Sequence, residues 1–537
     1  MTRLLQHWVT EQAQTRPAAL AVAGSTNRFT YGELDTLSTQ VARALMAAGC
    51  RQGDRVALLM PSSPVAIAGL FGIYKADCMY VPLDPASPIS RLEKILESCG
   101  NRWILAAGPV TPVLEALWRN DRWRDRLKVG WLEAAAPASR GVEMAFTLAD
   151  VIGQSTAPVA SRNHSCDPAH ILFTSGSTGV PKGVVLTHSN VIHFIDWATK
   201  YFGMNASDRG CVHPPLHFDM SMLDIFSMAA VGGQLHLVPR EFNLLPNKLA
   251  DFIRTAELTQ WYSVPPILNY LAKFDAVRCN DFPALRRVIW AGDVLPTPAL
   301  IYWMTRLPHV SFTNLYGPTE TAISSSYYTV PAVPVDPQEA IPIGRACDGE
   351  ELLVLDESLR PLPPGEIGDL YIGGAGVSLG YWRDPGRTAA AFVPHPERPS
   401  ERIYKTGDLG RLGDDGQVYF LGRSDSQIKS RGYRIELGEI ETALNAVSGV
   451  LECAVVPLRT AGFEGVEICC AYVAAAGSEL TPSTIRRQLS RMIPAYMLPT
   501  RWQSYDQFPR NGSGKIDRRH IAATFEDKAG IHAAKTA

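Results

Sequence analysis

The residues best suited to chemistry in this chain begin in one short stretch. The apolar run Ile171-Leu172-Phe173 feeds Thr174, Ser175, Gly176, Ser177, Thr178 and Gly179, and the stretch closes on Pro181-Lys182-Gly183. Glycines let a backbone approach an anion closely, hydroxyls supply donors, and the Lys182 ammonium adds positive charge. A strand that ends in such a loop suits the cradling of a triphosphate. The common P-loop is excluded, because Lys182 follows Gly179 by three and is itself followed by Gly rather than Ser or Thr. A flexible surface loop is the alternative for this segment taken alone.

Other clusters follow in order: Phe218-Asp219-Met220-Ser221, then Asn314-Leu315-Tyr316-Gly317-Pro318-Thr319-Glu320, then Tyr404-Lys405-Thr406-Gly407-Asp408-Leu409. After them come GRSDSQIKSRGYRIELGEIE (422–441), IPAYMLP (493–499) and NGSGKIDR (511–518). Upstream stand FTYGEL (29–34) and YKADCMYVPLD (74–84). In order and spacing these resemble the motifs of the adenylate-forming superfamily of acyl-CoA synthetases, adenylation domains and luciferases. The likeness is strongest to the adenylation domains of nonribosomal peptide synthetases and to free-standing amino acid:carrier-protein ligases. It covers residues from the start of the chain to the NGSGKIDR motif.

The resemblance implies a ligase that works in two steps, using ATP with Mg²⁺. A carboxylate attacks the α-phosphate, giving an acyl adenylate and pyrophosphate; a thiol, usually the phosphopantetheine of a carrier protein, then captures the acyl group. In-line attack on phosphate calls for positioning and charge neutralisation more than for covalent help. By resemblance, Lys515 bridges the substrate carboxylate and the α-phosphate, Glu320 is the Mg²⁺ ligand, and Thr319 hydrogen-bonds the α-phosphate. Asn314, Tyr316 and Gly317 belong to the nucleotide site, with Tyr316 stacked on adenine. Asp408 takes the ribose hydroxyls, with Arg423 beside it. Asp425 is the expected hinge of a mobile C-terminal domain, and Gly432 lines the thiol's access tunnel. Each has a plainer alternative: Lys515 as a surface charge, Tyr316 as core, Asp408 as a turn cap, and Gly432 as a hairpin turn.

Asp219 bears on the class of acid. In the family, Asp at this place pairs with the substrate's α-ammonium, and a buried carboxylate is costly without a partner. Its alternative is to cap the helix that follows. Asp224 reads as a solvated or capping residue. By motif spacing the remaining pocket positions are Met220, Leu223, Ser263, Ile289, Ala291, Leu315, Ile323 and Ser324, none of them charged. The expected substrate is therefore a neutral, mainly aliphatic amino acid, proline or something somewhat larger. Ser263 stands where prolyl relatives usually carry an aromatic residue, which leaves extra room. The chain ends soon after Lys515, so the expected acceptor is a carrier protein supplied in trans. The Gly-Ser-Gly-Lys wording around Lys515 is also typical of acyl-CoA ligases and keeps coenzyme A open as the thiol. A non-catalytic nucleotide- or metabolite-binding module is a third reading.

Elements must hold these residues in place. Helical and strand-like segments alternate through the first four hundred residues: 35–46 is predicted helical, 55–59 and 79–83 short buried strands. The expected fold is α/β, a large N-terminal domain (1–424) with parallel-rich sheets. A small mobile α+β domain (425–525) follows, then a frayed tail (526–537). Asp414-Asp415-Gly416 predicts a hairpin turn. Beyond it the pattern predicts helix 437–447, strands 450–457 and 466–475, and a helix opened by Pro482.

Composition narrows the setting. At 537 residues the chain exceeds one growing core. A net charge of −2 leaves no footprint for nucleic acid or an anionic membrane. Ten cysteines without a C-x-x-C pair read as buried free thiols. The N-terminal residues lack a secretory signal pattern, and the longest apolar run, Val65 to Tyr74, is short of the ~18 residues that would span a bilayer. A cytoplasmic setting is expected. Gly373 to Gly380 lacks the spacing of a dinucleotide fingerprint, and the lone His188, His193 and His217 read as structural.

Overall fold

The computed structural model of the chain describes residues 3–134, 142–176, 179–430, 432–460, 466–475, 478, 480–511 and 516–528. Residues 1–85, 96–173 and 183–424 form one compact unit, and residues 86–95, 174–182 and 425–537 a second. The second unit's long segment begins at Asp425. The two upstream segments that join the second unit have no signature in the sequence.

The larger unit is α/β. Its widest sheet has eight strands, and Pro168–Thr174, Met79–Pro82, Arg55–Leu59, Trp103–Ala106, Lys128–Trp131 and Met144–Thr147 lie side by side within it. The pairings from Pro168–Thr174 through to Met144–Thr147 are all parallel. Strands such as RVALL, MYVP and WILA are apolar along almost their whole length and buried, as befits a parallel sheet with both faces covered. A five-stranded sheet runs Gln260–Ser263, Arg287–Trp290, Ser311–Tyr316, Ser326–Thr329 and Arg345–Ala346, its first three strands parallel. A four-stranded sheet (Arg209–Val212, Gln234–Leu237, Leu20–Ala23, Arg28–Thr30) and an antiparallel sheet built on Ile367–Gly374 and Arg402–Leu412 complete the unit.

Local signals account for the helices. Tyr31–Ala47 starts before the predicted 35–46 because Thr30 and Glu33 form a capping box. Pro64–Lys75 opens on Ser63, whose hydroxyl accepts the Ala66 N–H, with Pro64 in the first turn. Met220–Val231 is buried on nearly every side and stops at Gly232 with φ +72°. That helix corrects the reading of Asp224. The residue is fully buried and mid-helix, neither solvated nor a cap.

Two histidines sit in the core of this unit. His170 Nδ1 lies 2.7 Å from the Tyr74 hydroxyl, and the His188 ring packs on Tyr74. Burial depresses their pKa values from 6.5 to about 3 and about 4. Below pH 6.5 the unfolded chain takes up protons that the folded one refuses, so stability falls as pH drops from 6.5 toward 4. Each group should contribute about 1.4 kcal/mol per pH unit within that window. Urea unfolding between pH 6.5 and 5 should show this slope, reduced by one proton in His188→Asn; an unchanged slope in the variant would remove His188 as a cause.

The smaller unit is α+β. The hairpin Gln427–Ser430/Tyr433–Glu436 precedes helix Leu437–Asn445, strands Val450–Arg459 and Val466–Ala474, helix Pro482–Leu489 and strand Arg501–Tyr505. Val466–Ala474 is central, antiparallel to Val450–Arg459 and parallel to Arg501–Tyr505. Thr481 caps the helix that Pro482 opens. Ile440, Leu444, Cys470, Ile485 and Leu489 meet in its core. Among the ten cysteines, Cys166 and Cys279 are exposed and the other eight are buried, all as free thiols.

Candidate active site

In the larger unit, Asp408 is the hub of a buried polar group. It lies in strand Arg402–Leu412, which pairs with Val418–Arg423 so that Asp408 faces Arg423. One carboxylate oxygen takes the Arg423 guanidinium, and the other accepts the Tyr316 hydroxyl at 2.6 Å. The Thr406 hydroxyl accepts the Asp408 N–H at 3.0 Å, and Arg423 also donates to the Thr406 carbonyl at 3.1 Å. Asp408 is thus more than a turn cap. Tyr316 is both core and site: its ring packs with Ile343, Leu370 and Ile372, while burial and the Asp408 carboxylate push its phenol well above the usual range.

Strand Ser311–Tyr316 carries Asn314, Leu315 and Tyr316 into a tight turn. Asn314 donates to the Pro342 carbonyl at 2.8 Å. Gly317 is required there, since a Cβ would sit 2.5 Å from Ser324 Cα and 2.7 Å from Ser325 N. The Ser325 N–H closes the turn on the Tyr316 carbonyl at 2.8 Å. Thr319 opens the 3₁₀ turn Thr319–Thr321, followed by two residues in the left-handed region: Ala322 at φ +56° and Ile323 at φ +75°. A β-branched residue in that conformation is strained, at a cost of order 1–3 kcal/mol.

Glu320 is fully buried in this turn and accepts the Tyr381 hydroxyl at 2.8 Å. Its carbonyl accepts the Ser378 N–H at 2.9 Å, which ties the 373–380 glycine segment to the site. Among the described residues no group of three His, Cys, Asp or Glu could form a metal cage. One buried carboxylate suits Mg²⁺, which keeps water and phosphate oxygens as most of its ligands.

The helix that begins at Met220 presents Asp219 at its N-terminus, and the Asp219 side chain makes no capping bond. Met220, Leu223, Ser263, Ile289, Ala291, Leu315, Ile323 and Ser324 are all buried. Strand register divides them. Tyr262 pairs with Ile289, and Ser263 with Trp290, so Tyr262 shares the face of Ile289 while Ser263 faces the other way. The Ser263 hydroxyl lies 3.2 Å from His213 Nδ1. No motif in the sequence marks Tyr262. Its hydroxyl is fully buried and, among the described residues, has no partner at hydrogen-bond geometry. Burial and the Asp219 and Asp224 carboxylates hold it well above the usual range, against an opposing effect of Ser324. Alternation along strand Gln260–Ser263 is the signal that could have found it.

The ends of the candidate phosphate loop, Thr174, Ser175, Gly176, Gly179 and Lys182, belong to the smaller unit. Gly176 cannot carry a side chain, because a Cβ would lie 2.2 Å from the Val180 carbonyl oxygen. Gly179 has φ +75°. Ser177, Thr178 and Lys515 lie outside the described residues. Asp425 Oδ1 accepts the Gln427 N–H at 3.0 Å, and Gly432 turns the hairpin at φ +82°, a conformation that favours glycine.

The sequence profile of AMP-binding enzymes matches residues 9–382, and that of the AMP-binding enzyme C-terminal domain matches 439–515. The chain belongs to the AMP-binding enzyme family. It is 34% identical over 97% of its length to a plipastatin synthase polypeptide of Bacillus subtilis, and 32% identical over 97% to tyrocidine synthase 3 of Brevibacillus parabrevis. It spans only 14% and 8% of those relatives' lengths. The Vibrio cholerae adenylation domain AlmE, solved with glycyl-adenosine-5′-phosphate, superposes with a TM-score of 0.82 at 26% identity, covering 97% of this chain and 98% of that one. This AMP-binding enzyme thus falls in the adenylate-forming superfamily, and its two units match the large and small domains of adenylation-domain structures. No helix among the described residues is long and apolar enough to cross a membrane.

Proposed function

We propose that this AMP-binding enzyme adenylates a neutral, mainly aliphatic amino acid, proline-like or somewhat larger, and passes it to the phosphopantetheine thiol of a carrier protein supplied in trans. The observation that carries the reading is Asp219: an acidic side chain, not used as a helix cap, at the head of a helix whose next turn supplies the buried apolar Met220 and Leu223. A carboxylate there is suited to an α-ammonium, and an uncharged lining to an aliphatic side chain. The similarity to AlmE, whose bound ligand is a glycyl adenylate, supports the same reading.

In the first step the substrate carboxylate attacks the α-phosphorus and the bond to pyrophosphate breaks. Asp408 holds the ribose hydroxyls, oriented by Arg423. Tyr316 braces Asp408 and lines the adenine site, Asn314 and Gly317 shape the turn beneath it, and Thr319 donates to the α-phosphate. Glu320 would hold Mg²⁺, which would supply neutralisation of phosphate charge. Thr174, Ser175, Gly176, Ser177, Thr178, Gly179 and Lys182 receive the β- and γ-phosphates. Lys515 offsets the charge that develops between carboxylate and α-phosphate. In the second step the thiol attacks the acyl carbon and AMP leaves; Gly432 lines its approach, with Asp425 as the hinge.

Amino-acid-dependent ATP–pyrophosphate exchange across the twenty amino acids, pipecolate, β-amino acids and aryl acids tests this. One neutral amino acid is expected to support exchange, and pantetheinylated carrier protein to be preferred over coenzyme A. Exchange only with acids lacking an amino group would move the enzyme to acyl- or aryl-CoA ligation, a reading that Gly512-Ser513-Gly514-Lys515 favours.

A further inference from the structure

Within the smaller unit, the phosphate loop already carries anions, and they are the protein's own. The Gly176 N–H donates to Glu439 Oε2 at 3.2 Å. The other oxygen of that carboxylate accepts Arg91 Nη1 at 2.6 Å, in a pair whose side chains are only 7% and 5% exposed. Lys182 Nζ stands 3.9 Å from Glu436 Oε1, again buried. The Ser175 hydroxyl donates to the Arg434 carbonyl at 2.8 Å, and Lys94 donates to the Gly179 carbonyl at 2.8 Å. The Gly176 amide, the Ser175 hydroxyl and the Lys182 ammonium are donors a triphosphate would use, and all three face oxygens of the segment 434–439.

An arginine–glutamate pair needs no third partner. Glu439 nevertheless turns its second oxygen to the amide of a glycine that cannot carry a side chain. Glu436 extends the same arrangement to the loop's lysine. Two carboxylates thus stand among the donors of an anion cradle, where phosphate oxygens would meet both competition for N–H groups and like-charge repulsion.

We infer that Glu439, seconded by Glu436, is an intramolecular competitor of the nucleotide's β- and γ-phosphates and of pyrophosphate for the loop at Ser175–Lys182. The loop accepts either the carboxylates or the phosphates. Release of pyrophosphate is then followed by their return, which opposes its rebinding and favours the second half-reaction. This rests on the reading of the loop as the phosphate site.

Titration calorimetry of the full chain with magnesium pyrophosphate and with Mg·ATP tests it. Glu439→Gln removes the competing charge and is expected to tighten pyrophosphate binding by about tenfold or more, the scale of one hydrogen bond to a charged group. Arg91→Gln/Glu439→Gln separates this from the effect of an unpaired Arg91: the gain should persist in the double variant. Glu436→Gln should act in the same direction, and serves if Glu439 variants do not fold. A wild type that binds ATP, with affinities unchanged in these variants or a gain confined to the single Glu439 variant, overturns the inference and leaves the phosphate site standing. A wild type that binds neither ATP nor pyrophosphate overturns both.

Discussion

Alanine in place of Asp219 is expected to lower amino-acid-dependent ATP–pyrophosphate exchange by about 10²–10³-fold, the range found when one partner of a close, desolvated charge pair is removed. The substrate's ammonium would enter a pocket whose other residues, from Met220 to Ser324, are buried and uncharged. Without the carboxylate it loses its ionic partner while still being stripped of water. The loss should appear in the KM for the amino acid and in kcat/KM, with the KM for ATP little changed, because the proposed ribose site at Asp408 and Arg423 is built from other strands. Asp219→Asn, which keeps the shape and a hydrogen-bond acceptor, should retain more activity than Asp219→Ala. Steady-state exchange kinetics on the three proteins checks this. Equal activity in all three would show that Asp219 holds no ammonium and would return it to a structural role.

The second large effect concerns stability. Asp208 is fully buried and receives the Thr259 hydroxyl at 2.6 Å, the Asn205 N–H at 2.8 Å and the Arg287 guanidinium. Arg287, itself 4% exposed, also donates to the Phe202 carbonyl at 2.6 Å and to Gln260 at 3.0 Å. Gln260 passes the chain on to Asp224 at 2.9 Å, whose carboxyl burial drives well above the usual range. Asp208→Ala leaves Arg287 charged and buried without its ionic partner, and should cost about 3–5 kcal/mol of unfolding free energy. Urea denaturation of the variant measures it. A loss below ~1 kcal/mol would place the pair with exposed ion pairs in worth. Gln260 and Arg287 are the first residues of strands Gln260–Ser263 and Arg287–Trp290, so the network fastens the starts of both strands to Asp208 and Asp224.

How far the sequence could be read depended on the kind of signal. Strand Arg55–Leu59 and the helix opened by Pro482 were legible because local rules, an apolar run and a proline in the first turn, suffice to specify them. The candidate site was legible as motifs, and Asp408, Arg423 and Tyr316 do converge although they come from three strands. Asp224 is misleading for a physical reason. The Met220–Val231 helix is apolar all round, so its periodicity shows no outward face, and a lone carboxylate in it looks exposed by default. Tyr262 was hidden because which of two adjacent strand residues shares the face of Ile289 depends on pairing register, and register is a property of the neighbouring strands. The membership of 86–95 and 174–182 in the smaller unit had no local signature at all, since it arises from contacts between segments hundreds of positions apart.

The left-handed pair Ala322–Ile323 carries a consequence for changing what the enzyme accepts. The other positions of the proposed pocket are not among the residues with positive φ. At Ile323 the main chain itself is held against its preference, by the Ser325–Tyr316 bond and the close approach at Gly317. Residues that relax this position are small or glycine, and those that fill the pocket are large and branched. In the proposed pocket, selection for sturdiness and selection for a new substrate would therefore pull this one residue in opposite directions, and altered selectivity would be reached more readily through the helix side, at Met220 and Leu223.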